Sequence, residues 1–142
     1  MKTTIGVLFA LAIFAMLSGN AVFAQANPHM FTVTTFHAAM PEGGTVAERD
    51  SVLAMFTELT KMNPKYISQR MLRHSWGHNN QDWVIITEFA TWDDIESSGK
   101  ADEDNFKAKW PKGDFTKMNR TFNKYFPTHS DEIYTELLKY TK

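Results

Sequence analysis

Cysteine is absent from this sequence of 142 residues. Without thiols the chain forms no disulfide, and it offers neither a cysteine nucleophile nor a thiolate metal site. Stability must therefore come from the hydrophobic core, and aromatic residues, which make up 13% of the chain, supply large side chains for it. No serine lies in a nucleophile motif and no glycine-rich loop matches a phosphate-binding motif, so neither class of site is indicated.

The sequence also lacks a hydrophobic run of comfortable length for a membrane span. The apolar run at residues 5–17 is shorter than the about 20 residues that a transmembrane helix needs. Lys2 precedes this run and small residues at 22 and 24 follow it, an arrangement typical of a secretory signal. We predict a cleavable signal peptide over residues 1–24 and export to the periplasm or the cell exterior. Cleavage after Ala26 is a second frame, and an uncleaved anchor is the less favoured alternative.

Neither sign of charge dominates the chain. It carries 15 Lys and Arg against 16 Asp and Glu, and its formal net charge of −1 becomes −2 when Lys2 is removed with the signal peptide. This balance predicts no nucleic-acid partner, and no membrane partner after signal cleavage. Residues 25–142 have the length of a single domain with one core, and they contain no evident repeat, linker or low-complexity tract.

Segments rich in β-branched and aromatic residues predict three strands. They lie at residues 30–38, 66–76 and 82–90, and a turn at 77–81 joins the last two into a hairpin. Residues 131–140 fit either a helix or a strand by spacing. We favour a strand there, because the hairpin needs a sheet of more than three strands to close a core.

Helical patterns occupy the remaining segments. Residues 46–62 place their apolar side chains on one face, as an amphipathic helix does. Thr91 begins a second helix with an acid in the capping-box position, and residues 100–127 are helical in character with a break at 111–113. The predicted order β-α-β-β-α-(α)-β is an α+β, ferredoxin-like βαββαβ fold with an extra helix before the last strand.

Three motifs carry a resemblance to a known superfamily: the run Gln69–His74, the run Ile85–Phe89, and the acidic helix start Trp92–Glu96. With these motifs the sequence resembles the dimeric α/β-barrel proteins, which include antibiotic-biosynthesis-type monooxygenases and stress-responsive barrel proteins. The resemblance covers residues 30–96. It implies a homodimer in which helices cover one sheet face, the partner's sheet covers the other, and a small-molecule pocket lies beside the sheet or inside the barrel.

Alternation along the hairpin predicts which side chains share a face. If the turn spans residues 77–81, Arg70 lies opposite Glu88 and Leu72 lies opposite Ile86. One face then combines charged, aromatic and aliphatic side chains, namely Arg70, Leu72, His74, Trp76, Val84, Ile86 and Glu88. The other face holds the larger apolar side chains, among them Trp83 and Phe89, so we predict that the helices cover it.

The mixed face predicts a polar end to a small-molecule cavity. We predict His74 and Arg70 as catalytic residues, with His74 as proton carrier or hydrogen-bond donor and Arg70 as the group that binds an anion. The predicted substrate-binding residues are Trp76, Glu88, His37, Leu72 and Ile86. The alternative for Arg70 and Glu88 is a structural salt bridge beside a filled barrel.

The other histidines give weaker signals. A lone histidine at a strand end, such as His37, is more often a surface residue than a ligand. His29 and His129 carry no functional signal. The spacing of His74 and His78 would present two metal ligands together only on a helix, so no metal site is predicted. Trp110 and Phe115 fit packing better than ligand contact, although they could roof a pocket.

Three functions fit these features, and the first two, which are small-molecule binding and oxygenation, need no cofactor. The favoured one is an exported dimeric barrel protein that binds a small, partly apolar molecule, because the fold forms cavities and the chain shows no complete catalytic set. The second is a cofactor-independent monooxygenase acting on a phenolic or polycyclic substrate, as the resemblance implies. The third is haem binding through His74 or His37. Export argues against an enzyme that consumes cytosolic NADPH or flavin.

Overall fold

The computed structural model describes residues 27–77 and 81–141. The predicted signal peptide with its cleavage site, and residues 78–80 of the predicted turn, lie outside the described residues. No helix in the described part of the chain is long and apolar enough to cross a membrane.

In the described residues, four strands and three helices make one α+β unit. In chain order they are β1 (Met30–His37), α1 (Val46–Met62), β2 (Ser68–Arg73), β3 (Asp82–Phe89), α2 (Trp92–Lys109), α3 (Phe115–Tyr125) and β4 (Thr128–Thr135). The strands form one antiparallel sheet in the order β2-β3-β1-β4. The predicted ferredoxin-like fold with an extra helix before the last strand is confirmed.

A side-chain cap begins each helix. The hydroxyl of Thr45 accepts a hydrogen bond from the backbone N of Glu48 at 3.0 Å, and the carboxylate of Asp114 accepts one from the backbone N of Lys117 at 2.9 Å. At Thr91 the predicted capping box is confirmed, since Oγ1 accepts a bond from the backbone N of Asp94 at 3.2 Å. These caps satisfy N–H groups that a helix leaves unpaired, so local sequence alone sets the helix starts.

The last strand is confirmed, but its bounds differ from the prediction. β4 begins at Thr128 and ends at Thr135, and residues Leu138–Tyr140 form a single 3₁₀ turn. β4 pairs with the whole of β1, from Thr128 opposite His37 to Thr135 opposite Met30. The length of its neighbour therefore sets the length of β4, which the helical spacing of residues 133–138 could not indicate.

The core lies between the helices and one face of the sheet. Its buried members are Val52, Leu59, Phe106, Met118, Phe122, Tyr125 and Phe126. Trp83 contacts Phe126 with ring centroids 5.6 Å apart, and Phe36 contacts Phe122 at 5.2 Å. The prediction that the helices cover the face with the larger apolar side chains is confirmed.

The hairpin register differs by two residues from the prediction. Arg70 lies opposite Ile86 rather than Glu88, and Leu72 lies opposite Val84 rather than Ile86. The strands separate after His74, whose backbone N donates to the carbonyl of Asp82 at 2.9 Å, so Trp76 belongs to the loop. Gly77 in that loop has φ +128°, a conformation that a strand residue does not adopt. A shift of two residues preserves the faces, because side chains alternate with a period of two.

Candidate functional site

The predicted site residues of the hairpin lie on the sheet face that the helices leave open. We call it the open face, and its side chains include Phe31, Val33, His37, Arg70, Leu72, Val84, Ile86, Glu88 and Tyr134. Leu72 is 49% exposed and Tyr134 is 53% exposed. An apolar patch of this kind on a sheet is a surface that a partner usually covers. The structure therefore brings most of the predicted residues to one face, without enclosing them in a cavity.

Glu88 is a charged group on the open face with two hydrogen-bonding partners. Its carboxylate lies 2.6 Å from Nδ1 of His29 and accepts a hydrogen bond from the hydroxyl of Ser68 at 2.6 Å. The Ser68 bond, then the His29 contact, lowers the pKa of Glu88, and Arg70 adds only a weaker field. The structural Arg70–Glu88 salt bridge, given above as the alternative, is not formed, because the two-residue shift of register places Ser68 opposite Glu88.

Sequence reasoning overlooked His29. It stands just before β1, and a position beside a predicted strand carries no local signal of a partner. The pairing of Met30 with Phe89 brings position 29 next to Glu88, which is 59 residues away along the chain. Only the antiparallel register of β1 and β3 could have indicated this contact.

The remaining predicted residues lie at the hairpin end of the sheet. His37 is on the open face, and its Nδ1 contacts the carboxylate of Asp82. Nδ1 of His74 is buried and has no hydrogen-bond partner in the described part of the chain, while Trp76 is 92% exposed. Catalytic roles for His74 and Arg70, and ligation of haem by His74 or His37, stay predictions.

A cavity of about 620 Å³ lies on the other side of the sheet, between the sheet and the helices. We call it the sheet cavity. Its aromatic wall comes from Phe36, Phe56, Phe89 and Phe122. A volume of this size is in the usual range for small-molecule sites, which are about 300–1,000 Å³. The chain thus holds a cavity that the predicted site residues do not line.

Tyr66 and Asp102 form a polar end to the sheet cavity. The Tyr66 hydroxyl donates to Oδ2 of Asp102 at 2.7 Å, and Nδ2 of Asn63 donates to Oδ1 at 2.7 Å. Burial, followed by the hydrogen bond to Asp102, raises the pKa of Tyr66. Tyr66 therefore remains a protonated donor, and the Asp102 carboxylate is held in one orientation as an acceptor.

A second polar group crosses the cavity from helix to sheet. The hydroxyl of Thr60 donates to Oε1 of Gln69 at 2.8 Å, and Nε2 of Gln69 donates to Oγ1 of Thr87 at 3.0 Å. Thr87 is only 5% exposed, and its own hydroxyl proton has no acceptor among the described residues. This proton can serve a carbonyl or hydroxyl oxygen of a molecule in the cavity.

One sequence signal could have indicated this cavity. Gln69 and Thr87 are polar residues on the face predicted to lie under the helices, and a polar side chain at such a position needs a hydrogen-bond partner. Tyr66 and Asp102 gave no comparable signal, since 36 residues separate them and their meeting depends on how α2 packs.

Metal binding gains no support from the part of the chain that the structure describes. No group of three or more histidine, cysteine, aspartate or glutamate side chains in residues 27–77 and 81–141 is arranged to hold a metal ion. His78, one of the two histidines considered for zinc, lies outside these residues.

Comparison with known proteins bears on the fold. No protein-family model matches the sequence, and no curated protein matches it. One similar solved structure is a variant of SnoaB, a cofactor-independent oxygenase from Streptomyces nogalater. The TM-score is 0.52 and the sequence identity is 17%, over 77% of this chain and 93% of that one. A candidate antibiotic biosynthesis monooxygenase from Caulobacter crescentus is similar with a TM-score of 0.53 and 12% identity, over 79% and 92%.

The chain has the fold of the antibiotic-biosynthesis-monooxygenase-like proteins. A dimeric ferredoxin-like protein of unknown function from Thermobifida fusca is similar as well, with a TM-score of 0.53 and 9% identity, over 78% of this chain and 92% of that one. The predicted resemblance to dimeric α/β-barrel proteins is thus confirmed at the level of the fold. At these identities the likeness carries no residue role, and fold alone does not determine function.

Proposed function

We propose that this protein binds a small, partly apolar molecule in the sheet cavity. The observation that carries the proposal is the cavity itself, which combines an aromatic wall with the Tyr66–Asp102 pair and the Thr87 hydroxyl. An aromatic wall favours a flat or ring-containing ligand, and the polar groups favour one that carries a hydroxyl or carbonyl oxygen. The ligand class is therefore a ring compound with few oxygen substituents.

We propose that the binding form is an exported homodimer. A second copy on the open face would bury Leu72 and Tyr134, which stand half-exposed in one protomer. Similarity in fold to a dimeric ferredoxin-like protein supports this arrangement. The signal-peptide pattern of residues 1–24 supports export. Residues 1–24 can be attached to a reporter enzyme that is active only after export. Activity of this reporter tests whether these residues direct export.

Filling the sheet cavity should abolish binding. Thr57 lines it from an exposed position on α1, so Thr57→Trp places an indole in the cavity without altering the core. After incubation with cell extract, native mass spectrometry of the wild-type protein should show a retained small molecule, and Thr57→Trp should lose it. Ser51→Trp, also exposed on α1 but away from this cavity, is the matched control and should retain it. A wild-type protein that carries no small molecule would count against the proposal.

A second candidate function is cofactor-independent oxygenation of a phenolic or polycyclic substrate in the same cavity. Such chemistry needs a group that accepts the phenol proton, since the resulting anion is the electron donor to dioxygen. The oriented carboxylate of Asp102 is placed for this role. The similarity in fold to SnoaB, which is a cofactor-independent oxygenase, favours this candidate.

Oxygen uptake with an anthrone-type substrate tests the second candidate and locates its site. If the reaction uses the sheet cavity, Asp102→Asn should lower the rate by about 100-fold, the usual loss for a general base. His74→Ala and Arg70→Ala, on the hairpin, should then leave the rate unchanged. Loss of rate in the hairpin variants with an active Asp102→Asn would place the reaction at the residues that the sequence predicts. If the wild-type protein takes up no oxygen, the second candidate is wrong and ligand binding is the only proposed function that remains.

A further inference from the structure

A second cavity lies among the helices. Its volume is about 600 Å³, and its walls come from α1, the end of α2, the segment between α2 and α3, and α3. We call it the helix cavity. Among residues 27–77 and 81–141, none from the sheet lines it and none lines both cavities. Any ligand here is therefore independent of the function proposed for the sheet cavity.

The walls of the helix cavity are mainly apolar. Its apolar lining residues are Val52, Met55, Phe106, Trp110, Pro111 and Met118. Val52, Phe106 and Met118 are at most 5% exposed, so the base of the cavity is the protein core itself. Trp110 and Pro111 belong to the connection between α2 and α3, which supplies one side of the cavity. Side chains of this kind accept the hydrocarbon or aromatic body of a ligand.

Five charged residues also line the helix cavity, and three of them are already engaged. The carboxylate of Glu48 accepts a hydrogen bond from the Tyr125 hydroxyl. The carboxylate of Asp114 caps α3. Nζ of Lys109 lies 2.6 Å from a carboxylate oxygen of Glu58. Both acids and one lysine are thus held by other parts of the protein.

The two remaining charged groups are the ammonium groups of Lys112 and Lys117. Neither has an acidic partner among the described residues, although both line the cavity. Lys109 is paired with Glu58, and Glu48 is paired with Lys124. The charges left around the apolar cavity are the two ammonium groups and the Asp114 carboxylate, which the backbone hydrogen bond does not neutralise, so one net positive charge remains. This excess of positive charge favours an organic anion over a neutral or cationic molecule with the same carbon skeleton.

We propose that the helix cavity binds a small amphipathic anion, with its aromatic or aliphatic body against the apolar wall and its carboxylate or sulfonate group at Lys112 and Lys117. The apolar body supplies most of the affinity, because burial of carbon surface is favourable and is not screened by salt as charge pairs are. The two lysines supply the preference for an anion, a contribution that salt weakens because the charges are near solvent.

Two fluorescent probes with the same carbon skeleton test this proposal. One is 8-anilinonaphthalene-1-sulfonate, which is an anion, and the other is N-phenyl-1-naphthylamine, which lacks the sulfonate. The purified wild-type protein should bind the anion more tightly, and added salt should reduce the difference. In Lys112→Gln/Lys117→Gln, the affinity for the anion should fall by about three- to tenfold, the usual range for two partly exposed ion pairs. The affinity for the neutral probe should stay unchanged.

Two variants that fill a cavity locate the probe. Ser51→Trp fills the helix cavity and should abolish binding of the anionic probe, whereas Thr57→Trp fills the sheet cavity and should leave it unchanged. Thr121→Trp, which fills the helix cavity from α3, replaces Ser51→Trp if that variant does not fold. Loss of binding in Thr57→Trp, or no loss in the helix-cavity variants, would contradict the helix cavity as the binding site of the anionic probe. Equal affinity for the two probes in the wild-type protein overturns the anion as ligand class.

Discussion

Phe106→Ala should lower the free energy of unfolding by about 3–5 kcal/mol, the usual cost of truncating a buried phenylalanine. Phe106 is 1% exposed, and its ring contacts Trp110 and Phe115 at centroid distances of 5.1 and 5.3 Å. It joins α2, the following segment and the start of α3, so no single element can close the space left by its removal. Urea denaturation of both proteins at equal concentration measures the loss.

A substitution at Gly113 tests the same packing, because the Phe106 ring leaves no room for a side chain at that position. A Cβ at position 113 would lie 2.8 Å from two carbons of the Phe106 ring. Gly113→Ala should therefore cost about 1–3 kcal/mol, as overpacking does in a rigid core. In the Phe106→Ala background the same change should cost less, since the two contacts with the ring are gone and only the approach of the Trp110 carbonyl oxygen at 3.0 Å remains.

The matched control is Gly99→Ala. Gly99 lies within α2, and a Cβ there would meet no atom within 4 Å. This change should raise the free energy of unfolding by about 0.5–1 kcal/mol, because alanine favours the helix and loses less backbone entropy. Additive costs of Phe106→Ala and Gly113→Ala would show that the two positions do not share the contact.

Val84→Asp should convert the proposed homodimer into folded monomers. Val84 lies on the open face, opposite Leu72 on one side and Thr35 on the other, so neither residue directly opposite it carries a charge that would compensate a carboxylate at this position. Burying an unpaired carboxylate in the interface should raise the dissociation constant by at least about 100-fold, which corresponds to about 3 kcal/mol. Ile86 is a poorer choice, because Arg70 lies opposite it and would pair with an acid.

Sedimentation velocity over a range of concentrations measures this effect. The control is Val46→Asp, which places the same change on a side chain that is 53% exposed at the first residue of α1. It should leave the oligomeric state unchanged, since an acid in the first turn of a helix is tolerated or favourable. A Val84→Asp protein that remains a dimer would show that the open face is not the interface.

Local features of the sequence account for the order of the elements. The side chains of Thr45, Thr91 and Asp114 bond to backbone groups three residues away, so each helix start can be predicted without knowledge of the rest of the chain. Alternation along β2 and β3 likewise determines which side chains share a face. That assignment survives a two-residue error in register, because the period of a strand is two.

The contacts that make the candidate sites are not local. His29 meets Glu88, Tyr66 meets Asp102, and Thr60 meets Gln69 only after the strands have paired and the helices have packed. Pairing to the neighbour also set the ends of β4 and moved Arg70 away from Glu88. A sequence pattern indicates to which face of the sheet a side chain points. It does not indicate which residue of the neighbouring strand lies opposite.

The sequence by itself determined the absence of cysteine chemistry, the α+β order of elements and the division of the sheet into an apolar face and a mixed one. The tertiary structure alone decided that the sheet cavity lies beside the helices and the helix cavity among them, away from the mixed face. The reason is physical: periodicity and caps act within a few residues, whereas a cavity is the space left when elements distant in the chain pack together.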